Sequence, residues 1–303
     1  MAAPQPHAYR LEFAAMGCPC VIALEGLDVD RASRLAELAK SEVDRLDQKY
    51  SHYRDDNELA RWHAAWPNPV RLDAESLALL HLAAVLHDDS GGRFDITAAP
   101  LTRLWDGKRG RLPTAMEIDA ARTHVGFARL RIEAPFLALP SREARIEFGG
   151  LVKEFAADRA ADICRDAGAL HGLVDLGGDI AVIGPHIDGT PWRIGIRNPS
   201  ARESSIADIE LRCGGLATSG DYERCLIVEG KRYSHIVDPL SGWPVAGFSS
   251  VSVSAPSALI AGAACTTAML LGAEAGAQYL DELRLPWVAV SADGQMLRPT
   301  RRK

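Results

Sequence analysis

The chain has 303 residues, 47% of them hydrophobic and 24% charged, which is enough for one large core or two lobes. A formal net charge of −6 and a pI near 5.9 exclude a general nucleic-acid binder, because the phosphate backbone rewards clustered Lys and Arg. No apolar run reaches the roughly eighteen residues of a spanning helix, and the one basic run, Arg298 to Lys303, reads as a solvated tail.

The opening residues, MAAPQPHAYRLEFAAMGCPC, carry polar and charged groups as far as Glu12 and no continuous apolar stretch. They do not read as a secretory signal, Gly17-Cys18 is a poor lipid-attachment site, and the expected location is the cytoplasm. Glu12 to Leu24 reads as one opening strand. Within it Cys18 and Cys20 share a face, and without a second pair at metal-ligand spacing they read as small core residues. The other cysteines, at 164, 213, 225 and 265, are scattered and are expected to be reduced and buried like them.

Leu35, Leu38, Ala39, Val43 and Leu46 recur at helical spacing. Asp73 is the expected N-cap of a second helix, Ala74 to His87, which Leu77, Leu79, Leu80, Leu82, Ala84 and Val85 make apolar on most faces and well buried. Its His81 and His87 read as structural. Leu130 to Ala138, broken at Pro135, and Ala144 to Phe148 read as strands, followed by a helix from about Leu151 that carries Phe155, Ala156, Ala160, Ile163 and Cys164. Leu173 to Val182, Trp192 to Ile196, Ile206 to Cys213, Cys225 to Val228 and Val251 to Ser254 add β-rich segments between Gly, Pro and Asn turns. Ala258 to Leu271 and Ala275 to Leu283 close the chain as helices. Strands in runs with short turns, without regular βαβ alternation, predict an α+β fold of mixed, largely antiparallel sheets with flanking helices.

The residues that carry chemistry concentrate in ATSGDYERCLIVEGKRYSHIVDPLSGWPV, from Ala217 to Val245, where Thr218, Ser219, Asp221, Glu223, Arg224, His235 and Asp238 stand between apolar runs. Such a density suits a polar site on hairpin loops. His235, with an unperturbed pKa of about 6.5, is suited to take a proton from a hydroxyl. Asp238 either orients it or begins the DPLSG turn, and Asp221 follows the Thr218-Ser219-Gly220 turn. Ser219 lacks the G-x-S-x-G surroundings of a nucleophile. Upstream, Gly149 and Gly150 precede a helix whose first turn carries Lys153, an arrangement that favours a pyrophosphate, and Gly177-Gly178-Asp179 offers a second close backbone approach. Neither segment matches the Rossmann or P-loop pattern.

Eight segments together resemble the ApbE family of flavin transferases, the FAD:protein FMN transferases. They are MGCPC (16–20), SHYRDDNEL (51–59), GGRFDIT (91–97) with Pro100, Leu101 and Trp105, IEFGGLVKEFAAD (146–158), LVDLGGDI (173–180), WRIGIRNP (192–199), TSGDYER and HI-x-DP-x-x-G. The resemblance implies one unit over 1–303 with two lobes around a flavin cleft. It places FAD contacts on Met16, Tyr53, Arg93, Phe94, Asp95, Glu147, Lys153 and Ile236, with Tyr53 and Phe94 as stacking surface and Glu147 standing where the family has Asp.

The same resemblance implies Mg²⁺ held by a carbonyl at Gly150 and by Thr266. In AGAACTTA (261–268), however, Gly262 occupies the family's Asp position and Cys265 one that is sometimes acidic. A hard cation prefers carboxylate oxygen to thiol, so its affinity is expected to fall unless Glu154, where the family has Gly, supplies a substitute carboxylate. The implied activity is Mg²⁺-dependent transfer of FMN from FAD to a Thr or Ser hydroxyl of a partner protein, with AMP released. His235 is the base, Asp221 and Asp238 are its catalytic neighbours, and Lys153 holds the pyrophosphate. The alternatives are an FAD pyrophosphatase giving FMN and AMP, and a non-catalytic flavin-binding protein.

Overall fold

In the computed structural model, which describes residues 8–199, 201–221 and 225–299, the first strand already shows how one sheet face is chosen. Ala8–Ala15 (β1) alternates exposed and covered residues along its length, as a half-buried strand does. It turns at Met16-Gly17, both at positive φ (51° and 73°), and returns as Cys18–Glu25 (β2). The single strand expected over Glu12 to Leu24 is therefore a tight hairpin. Two consecutive left-handed residues make the turn whose twist suits a two-residue connection, and a methionine in that conformation leaves no signal in the hydrophobic pattern.

The main sheet continues through His171–Leu176 (β3), Asp179–Gly184 (β4), Gly214–Gly220 (β5), Phe248–Ala255 (β6), Trp287–Ser291 (β7) and Met296–Leu297 (β8). Its eight strands lie side by side in chain order, each antiparallel to the next. The fold is thus α+β with largely antiparallel sheet. Leu173–Val182 is itself a hairpin, turning at Gly177 and Gly178 with φ of 67° and 97°.

Alternation decides what covers each face. Val174, Leu176, Ala181 and Ile183 point to the helices Val29–Tyr50 (α1), Ala74–Asp89 (α2) and Val152–Asp166 (α3), whose Leu35, Ala39, Val43, Leu46, Leu80, Ala156 and Ala160 complete the largest core. Leu173, Ile180 and Val182 point the other way, against Ile196 and Leu211 of the hairpin Trp192–Asn198 and Ala201–Leu211. Ala258–Leu271 (α4) lies on β5 and β6 and is followed by Ala273–Leu283 (α5). Burying an apolar side chain in these cores contributes about 1.5–3 kcal/mol.

The second helix is capped by Asp73, whose Oδ1 accepts from the Ser76 amide at 2.8 Å. Its burial is one-sided, because Val85 is 55% exposed, and Leu38 of α1 is likewise on the solvent face at 57%. Ala144–Phe148 is not a strand. Its alternate residues Ala144, Ile146 and Phe148 are buried as a strand's would be, but its amides bond elsewhere: Ile146 to His63 Nε2 at 2.9 Å and Glu147 to the Ile96 carbonyl at 2.8 Å. Leu130 to Ala138 splits at Pro135 into Arg131–Glu133 and Phe136–Ala138. All six cysteines are free thiols. Cys20, Cys164 and Cys265 are buried, Cys18 and Cys225 half-buried, and Cys213 is exposed, against expectation, at the turn after the strand ending at Leu211.

Candidate active site

Two helices and two strand ends bring the polar residues of four sequence segments to one place. Helix α3 and helix α4 run antiparallel in a register that three contacts define. At one end the α3 carboxylate of Asp158 accepts from the Ala258 and Leu259 amides at 2.8 and 2.9 Å, satisfying orphan donors of the first turn of α4. One turn along, Glu154 packs on Gly262. A further turn along, Gly150 (φ 83°) lies against Thr266, so close that a Cβ at 150 would stand 3.0 Å from Thr266 Oγ1.

Residues four apart share a helix face, so Glu154 and Asp158 form one edge of this seam, which Gly150 in the turn before α3 prolongs, and Thr266, Gly262 and Ala258 form the other. Strand β5 closes it from the side. Ser219 Oγ lies 3.2 Å from Thr266 Oγ1, and the Cys265 thiol donates to the Ala217 carbonyl at 3.3 Å. The β3–β4 hairpin contributes Asp179, which is 2% exposed. Its carboxylate pairs with Lys153 Nζ at 2.8 Å and accepts from the Thr218 amide at 3.3 Å.

This cluster is electrostatically tight. Burial works against the Lys153 ammonium, but Asp179 and Glu154 beside it hold its pKa above the usual lysine range. Burial, reinforced by Asp179 and opposed by Lys153, pushes the Glu154 carboxyl up to about 8. Glu154 is 5% exposed, and its Oε2 is buried with no hydrogen-bond partner among the described residues. Such an oxygen is costly unless something satisfies it. A hard divalent cation would do so, and the Gly150 carbonyl and Thr266 hydroxyl one turn away are donors of the type it prefers, so these residues fit Mg²⁺. Among the described residues no three His, Cys, Asp or Glu side chains converge on a point, so a thiolate–imidazole type of metal site is absent there.

The remaining residues singled out in the sequence surround this cluster. Met16 occupies the β1–β2 turn, its amide donating to Asp47 Oδ2 at 2.9 Å beside a hollow lined by Gly17, Cys18 and Pro19. Cys18 lies 3.8 Å from Cys20, sulfur to sulfur, and the hydrogen bond from Cys20 lowers its pKa against the effect of burial, with help from Lys153. Tyr53 is 75% exposed and stacks on His52 at 3.9 Å between ring centres.

Phe94 is buried in the main core. The Asp95 carboxylate is spent within the protein, accepting from the Thr97 amide and hydroxyl of its own loop and from the distant Phe127 amide. Glu147 accepts from Thr102 Oγ1 at 3.2 Å, and burial raises its pKa. Ile236 packs against both the main core and the α4 core, which brings the segment after His235 to the same seam.

His235 is half-buried, directly after the hairpin Cys225–Val228 and Lys231–Ser234. Asp238 holds the turn that follows: its carboxylate accepts from the Leu240 and Ser241 amides, its carbonyl from Gly242, and Arg93 stands 4.0 Å away. Asp221 faces Arg232 at 3.2 Å, and burial raises its pKa. Glu223 and Arg224 lie outside the described residues.

The sequence reading did not single out a cationic cleft of about 560 Å³ beneath Tyr53, lined by His63, Arg103, Arg142 and Arg145. Burial and the neighbouring Arg145 and Arg103 push His63 down to about 4. Four arginines line it, Arg54 among them, and spread over about ninety residues they show no spacing signal, with Glu143 and Glu147 offsetting Arg142 and Arg145 in the chain.

Comparison with known proteins gives the family and the overall fold. The sequence profile of the ApbE family matches residues 16–289, and the chain belongs to that family. It is 33% identical to the FAD:protein FMN transferase of Vibrio cholerae over 82% of this chain and 77% of that one. It is 29% identical to the FAD:protein FMN transferase of Salmonella typhimurium over 96% of this chain and 86% of that one. The crystal structure of the ApbE protein from Thermotoga maritima superposes with a TM-score of 0.89, at 29% identity and with 97% of each chain covered.

Proposed function

We propose that this transferase acts as one unit over 1–303 that moves the FMN phosphoryl group of FAD onto a Thr or Ser hydroxyl of a partner protein and releases AMP, with Mg²⁺ required. The observation that carries the reading is the convergence of a half-buried Lys153 paired with the buried Asp179, a glycine turn at a helix start and the Ser219–Thr266 hydroxyl pair at one seam. A fixed ammonium beside a glycine turn at the start of a helix suits an anionic pyrophosphate. Asp179 keeps Lys153 charged and in place, so its donors point at the bridge to be broken. Met16, the exposed ring of Tyr53, Arg93 and Ile236 border the flavin's course, with Phe94, Asp95 and Glu147 supporting it from within the protein.

In the transfer step the acceptor oxygen attacks the FMN phosphorus, that P–O bond forms, and the bond from phosphorus to the AMP oxygen breaks. His235 receives the hydroxyl proton, and AMP carries away the electron pair. Asp238 positions the loop that holds His235, and Asp221 lines the site through its pair with Arg232. Mg²⁺, when bound by Gly150 and Thr266, supplies positive charge to the phosphate oxygens as charge develops on the leaving group.

Purified protein incubated with FAD and an acceptor domain bearing Thr or Ser, with and without Mg²⁺, tests the proposal. AMP together with an FMN-sized mass gain on the acceptor is expected, with Mg²⁺ alone making the difference. FMN and AMP without that gain would make the chain a pyrophosphatase, and bound but intact FAD a flavin-binding protein; either result overturns it.

A further inference from the structure

On the seam between α3 and α4 a carboxylate and a glycine face each other, and their positions in the chain carry an exchange. We infer that Glu154, reaching across from α3, supplies the carboxylate that holds the divalent cation, and that residue 262 is glycine because the Glu154 stem fills the space its side chain would need. The inference rests on the Mg²⁺-dependent reading above and asks which helix carries the charge.

Three observations support it. A Cβ built at 262 would lie 2.7 Å from Glu154 Oε1 and 2.8 Å from Cδ, with Cγ closer still, so the two side-chain positions share one volume. Of the carboxylates in the cluster, Asp179 is already engaged by Lys153 and the Thr218 amide, and Asp158 by the start of α4, whereas Glu154 Oε2 is buried with no hydrogen-bond partner among the described residues. Finally, Thr266 is one helical turn from Gly262 on α4 and touches Gly150 in the turn before α3, so Gly150, the Thr266 hydroxyl and this carboxylate lie in succession along one seam. Cys265 does not compete, because it points at the Ala217 carbonyl inside the α4 core.

Mn²⁺ binding to the full-length protein in the presence of FAD, read by the loss of the free-ion electron paramagnetic resonance signal, is the test. Glu154→Gln should weaken binding by about 10- to 100-fold, at least what a supporting group near a metal costs when removed. Circular dichroism should stay unchanged, as should FAD affinity measured without divalent cations. The exchange variant Glu154→Gly/Gly262→Asp should recover most of the loss, since it returns the carboxylate from α4. Equal Mn²⁺ affinity for wild type and Glu154→Gln, or an exchange variant no better than Glu154→Gln, overturns the inference and leaves the metal-dependent reading standing. A wild-type protein that transfers FMN yet binds no Mn²⁺ overturns both.

Discussion

Alanine at position 262 should destabilise this protein even though it is a better helix former than glycine. In a helix interior the exchange ordinarily stabilises by about 1 kcal/mol, through lost backbone freedom in the unfolded chain. Here the new methyl would enter the volume of the Glu154 carboxyl, 2.7 Å from Oε1 and 2.8 Å from Cδ. The closest atom is Cγ, in the middle of the side chain, and Glu154 is only 5% exposed, so the group cannot swing into solvent. Overpacking of this kind costs about 1–3 kcal/mol, so after the helix gain the net effect is about 1 kcal/mol of destabilisation. In a Glu154→Ala background the same methyl occupies vacated space and the sign reverses to about 1 kcal/mol of stabilisation, a coupling of about 2 kcal/mol between the sites. Urea unfolding of the four proteins of this cycle, without added divalent cations, measures it. A Gly262→Ala protein that gains as much stability in the wild-type background as in Glu154→Ala would refute the reasoning.

Lys153→Met leaves the nearly buried Asp179 carboxylate without its ammonium and should cost about 3 kcal/mol, read by thermal or urea unfolding, together with transfer activity. His235→Asn should lower the transfer rate by about 10²–10⁴-fold while FAD affinity, followed by flavin fluorescence, is kept; an unaltered rate removes His235 as the base. For His63 the sign is set by its depressed pKa of about 4 against the usual 6.5. Between those values the unfolded chain binds the extra proton, so stability falls as pH drops through this window, by no more than about 3 kcal/mol. His63→Gln keeps an acceptor for the Ile146 amide, does not titrate, and should flatten that part of the pH–stability curve.

Much of the architecture was readable from local signals. The helix expected over Ala258 to Leu271 has those bounds, with Ser257 accepting from Ile260 at one end and Gly272 following the other, and Asp73 announced its helix as the expected N-cap. Alternation was a less complete guide. In Ala144–Phe148 it told which side chains are buried but not what satisfies the backbone, and the partners, His63 and Ile96, are far away in the chain. The candidate site was legible through the family motifs, which brought out Lys153, Thr266 and His235. Its internal logic was not: that Glu154 faces Gly262 depends on the register of α3 against α4, and that register is set by the Asp158 cap on Ala258, a contact between residues a hundred positions apart. The arginine cleft was missed for a similar reason, as Arg103 joins Arg142 and Arg145 only in three dimensions.

The strict chain order of the sheet bears on how the protein folds. Every neighbouring pair of strands except one is joined by a connection of modest length; the exception is β2 with β3, between which roughly 145 residues intervene. Those residues include Tyr53, Arg93, Glu147, Lys153 and Glu154, so the segment that must be organised before the sheet can zip across that junction is the same one that carries most of the proposed substrate contacts. Pairing over so long a loop is entropically slow, and the β2–β3 amides are expected to gain exchange protection last during refolding. Binding of a flavin nucleotide to the insertion would then accelerate closure of the sheet itself, linking the speed of maturation to the supply of the molecule the protein uses.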